Sequence, residues 1–242
     1  MIRSITGKRA KAWKEAFQNR DFRTRKQFGI HGQKIVQHAV NAGIVREVMY
    51  VSSCPVRFDN AVEVSRQVMD YLTYGSEDSV AAICEKPVWN VNPEMMHRIV
   101  ILDHLHYQIN IGTILHYAYL FGADAVYLPD DGTVNPFGQT AAESSQGTLF
   151  HLPVLEENLP ALIRRLKDCG FTCVGTSLQN ALPLSKIPAR DKMAIILGNE
   201  AQGASEEVLK EANVLCRIEM ENYDSLNVSI AAGIVLHRFR PR

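Results

Sequence analysis

The stretch that decides the fold is Met193-Ala-Ile-Ile-Leu-Gly198-Asn199-Glu200-Ala-Gln-Gly203. Its five leading apolar residues are typical of a strand that is buried on both faces of a parallel sheet. Two glycines then bracket Asn199 and Glu200 just past the predicted strand end. Open parallel sheets bind ligands at the carboxyl ends of their strands, so this segment predicts an α/β sheet with a ligand site near Gly198.

Two other segments place small and polar residues at the same kind of position. Asn110-Ile-Gly112-Thr-Ile-Leu-His116 begins a helix after the predicted strand Ile99–Leu102, and Asp224-Ser225-Leu226-Asn227-Val-Ser229 begins the last helix. Each has an ordinary structural explanation as a helix cap, a turn or a helix start. Their joint occurrence at strand ends of one sheet favours a functional site.

Residues 99–242 alternate apolar strands with helices, which predicts a parallel sheet covered on both faces. The predicted strands are Ile99–Leu102, Ala125–Leu128, Thr148–Leu155, Phe171–Thr176, Met193–Leu197 and Val214–Met220. The predicted helices run from an Asn110 cap to Gly122, from Asn158 to Gly170, from Ser205 onward, and over Ser225–Phe239.

The first 98 residues predict three further parts. Residues 1–26 form a basic helical lead-in, with Trp13 and Phe17 on one apolar face, and residues 87–98, which contain Pro93, form a linker. Residues 27–86 form a small α/β domain. Its predicted helices are Lys34–Ala42 and Asn60–Asp70, and its predicted strands are Glu47–Val51 and Ser79–Cys84.

The net charge of zero conceals an asymmetry. Residues 1–26 carry nine Lys/Arg against Glu15 and Asp21, so this segment is +7 and the remainder of the chain is −7. A basic leading segment suits contact with phosphates. A solvated helix whose charge only aids solubility explains the same pattern equally well.

Composition and motifs exclude several classes of protein. No apolar run is long enough for a membrane helix, and the opening Met-Ile-Arg-Ser does not resemble a secretory signal. The five cysteines predict reduced thiols in the cytoplasm. The chain has neither a Gly-x-Gly nucleotide motif nor a phosphate-binding Gly-x-x-x-x-Gly-Lys loop. His104 and His106 have no further ligand-type residues at fixed spacing, so we expect loop histidines and no metal site.

Together the three segments resemble the ordered motifs of the SpoU/TrmH branch of the SPOUT methyltransferases, over about residues 98–242. The block Ala123-Asp124-Ala-Val and the turn Ser145-Gln146-Gly147 belong to the same resemblance. Residues 27–86 resemble the RNA substrate-binding domain, related to a ribosomal-protein fold, that precedes many family members. The resemblance implies an α/β fold whose C-terminal parallel sheet, residues 99–242, contains a deep trefoil knot and forms a homodimer.

The resemblance also implies the chemistry. S-adenosyl-L-methionine would bind in the knot loops and donate a methyl group to a ribose 2′-hydroxyl, in rRNA rather than tRNA because of the N-terminal domain. The residues implied to bind the cofactor are Thr176, Ser177, Leu197, Gly198, Asn199, Gly203, Ile218, Met220 and Leu226. The residues implied to be catalytic are Asn110, His116, Glu200, Ser225 and Asn227.

The chain departs from the family pattern at two motifs. The first motif usually reads Asp-Pro-x-Asn-x-Gly-x-x-x-Arg, whereas this chain has Tyr107-Gln108 and His116 in place of Asp-Pro and Arg. The third motif usually begins Ile-Pro-Met followed by glycine, whereas this chain reads Ile218-Glu219-Met220-Glu221. A histidine accepts a proton at neutral pH more readily than an arginine, so His116 is a candidate base. A packing role beside Tyr117 and Tyr119 is the alternative.

These departures leave two competing functions. We expect an RNA ribose 2′-O-methyltransferase because the Gly198–Gly203 and Ser225-Leu-Asn227 motifs are intact. A non-catalytic RNA-binding or ribosome-assembly protein on the same fold is the alternative, favoured by the altered first motif. Methylation of a base is a weaker third hypothesis.

Overall fold

The computed structural model describes residues 1–18, 25–132, 135–199, 202–221 and 226–241. The chain divides into two compact units. Unit 1 contains Met1–Val88 and Phe137–Phe150, and unit 2 contains Trp89–Pro136 and His151–Arg242. The helices and strands that position the candidate site belong to unit 2.

The helices and strands are numbered in chain order. The first part of the chain contains α1 (Lys8–Phe17), β1 (Gln27–His31), α2 (Gln33–Asn41), β2 (Val45–Tyr50), β3 (Val62–Glu63), α3 (Arg66–Thr73) and β4 (Val80–Glu85). The second part contains β5 (Arg98–Leu102), α4 (Gln108–Leu120), β6 (Ala125–Pro129), α5 (Gln139–Ser144), β7 (Val154–Glu157), α6 (Leu159–Asp168), β8 (Thr172–Thr176), β9 (Leu182–Pro183), β10 (Met193–Leu197), α7 (Glu206–Glu211), β11 (Val214–Arg217) and α8 (Val228–Arg238).

Unit 1 is built on a four-stranded sheet in the order β1-β4-β2-β3. Strand β4 pairs antiparallel with β1 and β2, while β3 pairs parallel with β2. The predicted basic helix is present as α1, and its Trp13 is buried in the same core as Met69 and Leu72 of α3. Because that apolar face is covered, α1 packs within unit 1 rather than standing apart as a lead-in.

Two predictions in this region were wrong. The predicted helix Asn60–Asp70 is replaced by the short strand β3 followed by α3. Asn60 has a φ of 56°, which is incompatible with a right-handed helix start, and the Ser65 side chain instead caps α3 by accepting from the Val68 amide. Strand β1 was not predicted at all, because Gly29 interrupts its apolar run.

Unit 2 is built on a seven-stranded sheet in the order β7-β6-β5-β10-β8-β11-β9. Every pairing in it is parallel. Strand β10 lies at the centre, with Leu197 opposite Leu102 of β5 and Ile196 opposite Gly175 of β8. All five residues of β10 are buried, as the apolar run predicted. The carboxyl ends of β5, β8, β10 and β11 therefore meet at one edge of the sheet.

Helix boundaries in unit 2 differ from prediction at two places. Helix α4 is capped by Tyr107, without a side-chain hydrogen bond, and Asn110 lies inside its first turn rather than at its cap. The Asn110 amide donates to the Tyr107 carbonyl, so the helix begins earlier than predicted. Strand β11 ends at Arg217 rather than Met220, and α8 begins after its Asn227 cap.

The segment Phe137–Phe150 also differs from prediction. It was expected to lie within the C-terminal domain and to contribute the strand Thr148–Leu155, but it groups with unit 1 and ends in a 3-10 turn at Thr148–Phe150. The rings of Phe137 and Phe150 lie 5.3 and 6.2 Å from the ring of Phe28. These apolar residues serve packing against β1 rather than a strand, and a period-two pattern does not distinguish the two.

The described helices were searched for possible membrane spans. None of them combines the length and the apolar character that crossing a bilayer requires.

Candidate functional site

A cavity of about 420 Å³ opens in unit 2 at the carboxyl ends of β8, β10 and β11. Its walls come from the loops that follow these strands and from the first half of α8. Eight of the residues expected to bind a cofactor line it: Thr176, Ser177, Gly198, Asn199, Gly203, Ile218, Met220 and Leu226. The ninth, Leu197, does not line it, because its side chain is fully buried within β10.

In the loop after β10, the backbones of Asn199 and Gly203 are hydrogen-bonded to each other. The Asn199 amide donates to the Gly203 carbonyl at 3.0 Å, and the Gly203 amide donates back to Asn199 at 2.8 Å. Gly203 has a φ of 75°, which suits glycine. A Cβ on Gly198 would overlap the backbone of Gly203 and Ala204. The structure thus requires glycine at position 198 because the returning loop crosses against it, rather than because a side chain would fill the cavity.

The strand-like segment after β11 directs alternate side chains to opposite sides. Ile218 and Met220 line the cavity, whereas Glu219 accepts a hydrogen bond from the Ser185 hydroxyl. That bond is the main reason why the pKa of Glu219 lies below its ordinary value, so the carboxyl is ionised at neutral pH. The negative charge of Glu219 is therefore paired outside the cavity rather than placed inside it.

Several lining residues were missed by sequence reasoning, notably Gln202, Leu209 and Cys216. Burial raises the pKa of the Cys216 thiol to about 11, with a smaller contribution from Glu219, so the thiol is protonated at neutral pH and is not a nucleophile. The alternation of side chains along β11 was the only available signal for Cys216. Leu209 gave no signal, because it lies on α7, outside the three motifs.

Two expected catalytic residues, Asn110 and Asn227, are in contact. The Asn227 side-chain amide donates to the side-chain oxygen Oδ1 of Asn110 at 3.2 Å. The Asn227 oxygen in turn accepts from the Ser229 amide at 2.8 Å and the Ser229 hydroxyl at 2.6 Å, which caps α8. Asn110 is 7% exposed. The starts of α4 and α8 therefore meet through a polar pair, as their positions at strand ends predicted.

Of the other three expected catalytic residues, the structure describes only His116. His116 lies on α4, half-buried, and its Nδ1 is buried with no hydrogen-bond partner among the described residues. Its ring lies 6.1 Å from that of Tyr117. Glu200 and Ser225 lie outside the described residues. Within the described ranges, no cluster of three His, Cys, Asp or Glu side chains is arranged to hold a metal ion.

The chain is similar to known RNA-modifying proteins along its length. The profile of the SpoU rRNA Methylase family matches residues 97–237. The 23S rRNA (guanosine(2553)-2′-O)-methyltransferase RlmP of Bacillus subtilis is 28% identical, over 99% of this chain and 98% of the relative.

Solved structures agree with this similarity. An rRNA methyltransferase from Sinorhizobium meliloti, also solved with AdoMet bound, has a TM-score of 0.85 at 26% identity, covering 98% of this chain and 95% of that one. The SpoU methyltransferase AviRb from Streptomyces viridochromogenes shares the fold, with a TM-score of 0.83 at 21% identity over 96% of both chains.

Proposed function

This chain belongs to the SpoU rRNA methylase family, and on that premise we propose that it transfers a methyl group from S-adenosyl-L-methionine to a ribose 2′-hydroxyl of rRNA. The observation that carries the proposal is the similarity to the RlmP 2′-O-methyltransferase, which extends over nearly the full length of both chains. The cavity at the strand ends provides a place for the cofactor.

The cavity suits S-adenosyl-L-methionine in size and chemistry. Its volume of about 420 Å³ is typical of cofactor sites. Ile218, Met220 and Leu226 supply apolar walls, and Thr176, Ser177 and Asn199 add polar residues to the lining. The bound cofactor supplies an electrophilic methyl group, so the protein has to orient the hydroxyl and remove its proton.

The polar residues at the starts of α4 and α8 suit these two tasks. Asn110 and Asn227 hold each other's side chains and orient the ribose. His116 is the proposed base for the hydroxyl proton, because it stands where the family pattern of the first motif has its arginine. Glu200 and Ser225 complete the proposed set by their positions in the two intact motifs.

Transfer of tritium from labelled S-adenosyl-L-methionine tests the function. We expect label in purified 23S rRNA and not in tRNA, and digestion to nucleosides should give 2′-O-methylated products. The Gly198→Val protein is the matched inactive control. Label on a base would contradict ribose methylation. Cofactor binding without any transfer would favour the non-catalytic RNA-binding alternative, which the uncapped Tyr107 start of α4 supports.

Unit 1 is the proposed RNA-binding part, with residues 27–86 as the substrate-binding domain. Residues 87–98 are the proposed linker, and residues 99–242, apart from Phe137–Phe150, which groups with unit 1, are the proposed methyltransferase domain. The buried core of unit 1 supports an independent folding role. The exposed cations Lys8 and Lys11 of α1 supply phosphate contacts. Changing both to glutamine should weaken rRNA binding and flatten its salt dependence in filter-binding assays, with cofactor affinity unchanged.

The protein is proposed to be a homodimer through α4 and α8, which pack against each other. Ile109 and Leu120 of α4 are each 58% exposed, and Ile230 of α8 is 52% exposed. Apolar helices that expose such residues are usually covered by a partner. Sedimentation should give twice 27.1 kDa, and Ile230→Glu should shift it to the monomer mass. A wild-type monomer at micromolar concentration would contradict the dimer.

The proposed fold contains a trefoil knot formed by the loops around the cavity. The strand order, in which β10 lies between β5 and β8 although it follows β9 in the chain, supports such threading. A backbone trace of residues 176–241 in an experimental structure tests it. The free cysteines of the described chain fit the reducing cytoplasm, where we propose that the protein works.

A further inference from the structure

The Asp103-His104 dipeptide, just after β5, contacts both ends of the cavity loop that follows β10. At one end, the Asp103 carboxylate accepts a hydrogen bond from the Ser205 amide at 2.6 Å. At the other end, the His104 carbonyl accepts a hydrogen bond from the Asn199 side-chain amide at 3.2 Å. Residues 199 and 205 bracket the loop that lines the cavity, so two adjacent residues hold both of its ends.

Asp103 is a buried polar residue whose side chain is hydrogen-bonded. It is 1% exposed, and a polar group at such a depth is costly unless it is hydrogen-bonded. Its own amide donates to the Leu197 carbonyl at 2.9 Å, which continues the pairing of β5 with β10. Ser205 is the N-cap residue of α7 and makes no side-chain cap hydrogen bond, and its backbone amide donates to the Asp103 side chain.

His104 has a strained backbone that directs its carbonyl. Its φ is 52°, a left-handed conformation that non-glycine residues adopt rarely and at some energetic cost. Its imidazole Nε2 lies 3.5 Å from the second Asp103 oxygen, beyond ordinary hydrogen-bond length, and the ring is 44% exposed. The contact that reaches the cavity loop is therefore made by the His104 backbone rather than by its ring.

We propose that Asp103 and His104 are positioning residues that hold Asn199 and Ser205, on either side of the cavity-lining Gln202 and Gly203, in the arrangement that binds S-adenosyl-L-methionine, an inference that rests on the proposed function. Neither side chain lines the cavity, and both act through Asn199 and Ser205. The strain at His104 is maintained because it turns the carbonyl toward Asn199 while Asp103 holds Ser205.

Four variants of the full-length protein separate this role from general destabilisation. Asp103→Ala removes the acceptor for Ser205, whereas Asp103→Asn keeps an amide oxygen that accepts the same bond. His104→Val disfavours the left-handed backbone, whereas His104→Gly adopts it freely and keeps the carbonyl. The exposed neighbour His106, changed to alanine, is the matched control.

Calorimetry with S-adenosyl-L-methionine should show about tenfold to a hundredfold weaker binding for Asp103→Ala, as expected for loss of a charged hydrogen bond. His104→Val should weaken binding in the same direction. Asp103→Asn, His104→Gly and His106→Ala should stay within about threefold of wild type. In methyl transfer, the KM for cofactor should rise while kcat at saturating cofactor is unchanged. Circular dichroism without cofactor should show that each variant is folded, which separates this result from partial unfolding.

We call the holding of Asn199 and Ser205 by Asp103 and His104 the clamp. Amide hydrogen exchange of Gly203 and Ser205 in the cofactor-free protein tests the clamp independently of catalysis. Exchange should become faster in Asp103→Ala and His104→Val only. Wild-type protein that binds cofactor without transferring methyl would overturn the proposed function and leave the clamp intact. Wild-type exchange and affinity in Asp103→Ala would overturn the clamp. If wild type binds no cofactor, the proposed function fails and the exchange rates alone decide.

Discussion

Polar side chains connect different kinds of segment in the two units. In unit 1 they join one secondary structure element to another: Lys14 of α1 donates to the Tyr71 carbonyl near the end of α3, and Gln139 of α5 pairs with the backbone of His31 at 2.8 and 2.9 Å. In unit 2, those at the sheet edge join loops to loops, as Asp103 does with Ser205. The difference follows from the sheets, because strand ends of a parallel sheet converge on one edge, whereas antiparallel strand ends do not.

This difference indicates which substitutions separate function from stability. Changes at the sheet edge of unit 2 should impair cofactor binding or methyl transfer in a folded protein. Changes to the polar contacts of unit 1 should lower the free energy of unfolding and leave cofactor affinity unchanged.

Gly198→Val should give the largest effect on the unit 2 side. The added side chain collides with the backbone of Gly203 and Ala204, so the cavity loop must move and cofactor binding should fall below detection, by more than about a thousandfold. Calorimetry measures the affinity, and circular dichroism shows whether the protein is folded.

Gly75→Ala in unit 1 is the matched control for Gly198→Val. Gly75 has a positive φ, 84°, and nothing lies within 4 Å of an added Cβ, whereas an added Cβ at Gly198 meets backbone. It should cost about 1 kcal/mol of stability through backbone strain, with no change in affinity. Normal cofactor binding by folded Gly198→Val would show that the loop does not form the site.

His116→Ala should lower kcat by about 10² to 10⁴, the range for loss of a general base, while cofactor affinity stays at the wild-type value. His116→Arg restores the residue type of the family pattern. An inert wild type together with an active His116→Arg protein would favour the non-catalytic alternative. Single-turnover methyl transfer to 23S rRNA is the measurement.

Arg98→Met tests a structural polar contact inside unit 2, where the comparison predicts loss of stability instead of binding. Arg98 is 7% exposed and donates to the carbonyls of Phe239, Asp191 and Arg190. Removing it should cost about 3 kcal/mol or more, because buried carbonyls lose charged donors. Arg165→Met, which removes a surface pair with Glu157, should cost less than about 1 kcal/mol. Urea unfolding of both variants checks the contrast.

Asp78→Asn should give the smallest change in the free energy of unfolding, and the size of that change should depend on pH. Burial raises the pKa of Asp78, but hydrogen bonds from Ser76 and His31 and the charge of Arg66 outweigh it, so the pKa lies below its ordinary value. A lowered pKa contributes stability above the unfolded value of about 3.9, which is lost as pH falls through the folded value.

Urea unfolding of wild type and Asp78→Asn at pH 7 and pH 3 measures this contribution. Wild type should be the more stable protein at pH 7, and the gap should narrow at pH 3. A gap that stays constant across this range would show that the His31–Asp78 contact, 2.6 Å long, does not depend on ionisation.

The sequence predicted β5, β6, β8 and β10 of unit 2 well because each is a short, largely apolar run, as in Met193–Leu197. It did not predict the two-residue strand β9. It also indicated eight cavity-lining residues, since their motifs follow strand ends. It missed Asp103 and His104 because their contacts are with residues about a hundred positions away, which no periodicity reports. It misplaced Thr148–Phe150 because apolar residues that pack against Phe28 look like a strand.

The contacts of Arg98 and its strand also bear on when the fold of unit 2 can be completed during synthesis. It stands in the first strand of the unit 2 sheet, yet its guanidinium reaches the carbonyl of Phe239, 141 residues later. Strand β5 likewise waits for its neighbour β10, which is made more than ninety residues after it. A nascent chain therefore has an open β5 edge until β10 is made, and it lacks the Arg98–Phe239 hydrogen bond until residue 239 has left the ribosomal exit tunnel. Translation stalled before that point should leave the chain unable to retain cofactor and exposed to proteases.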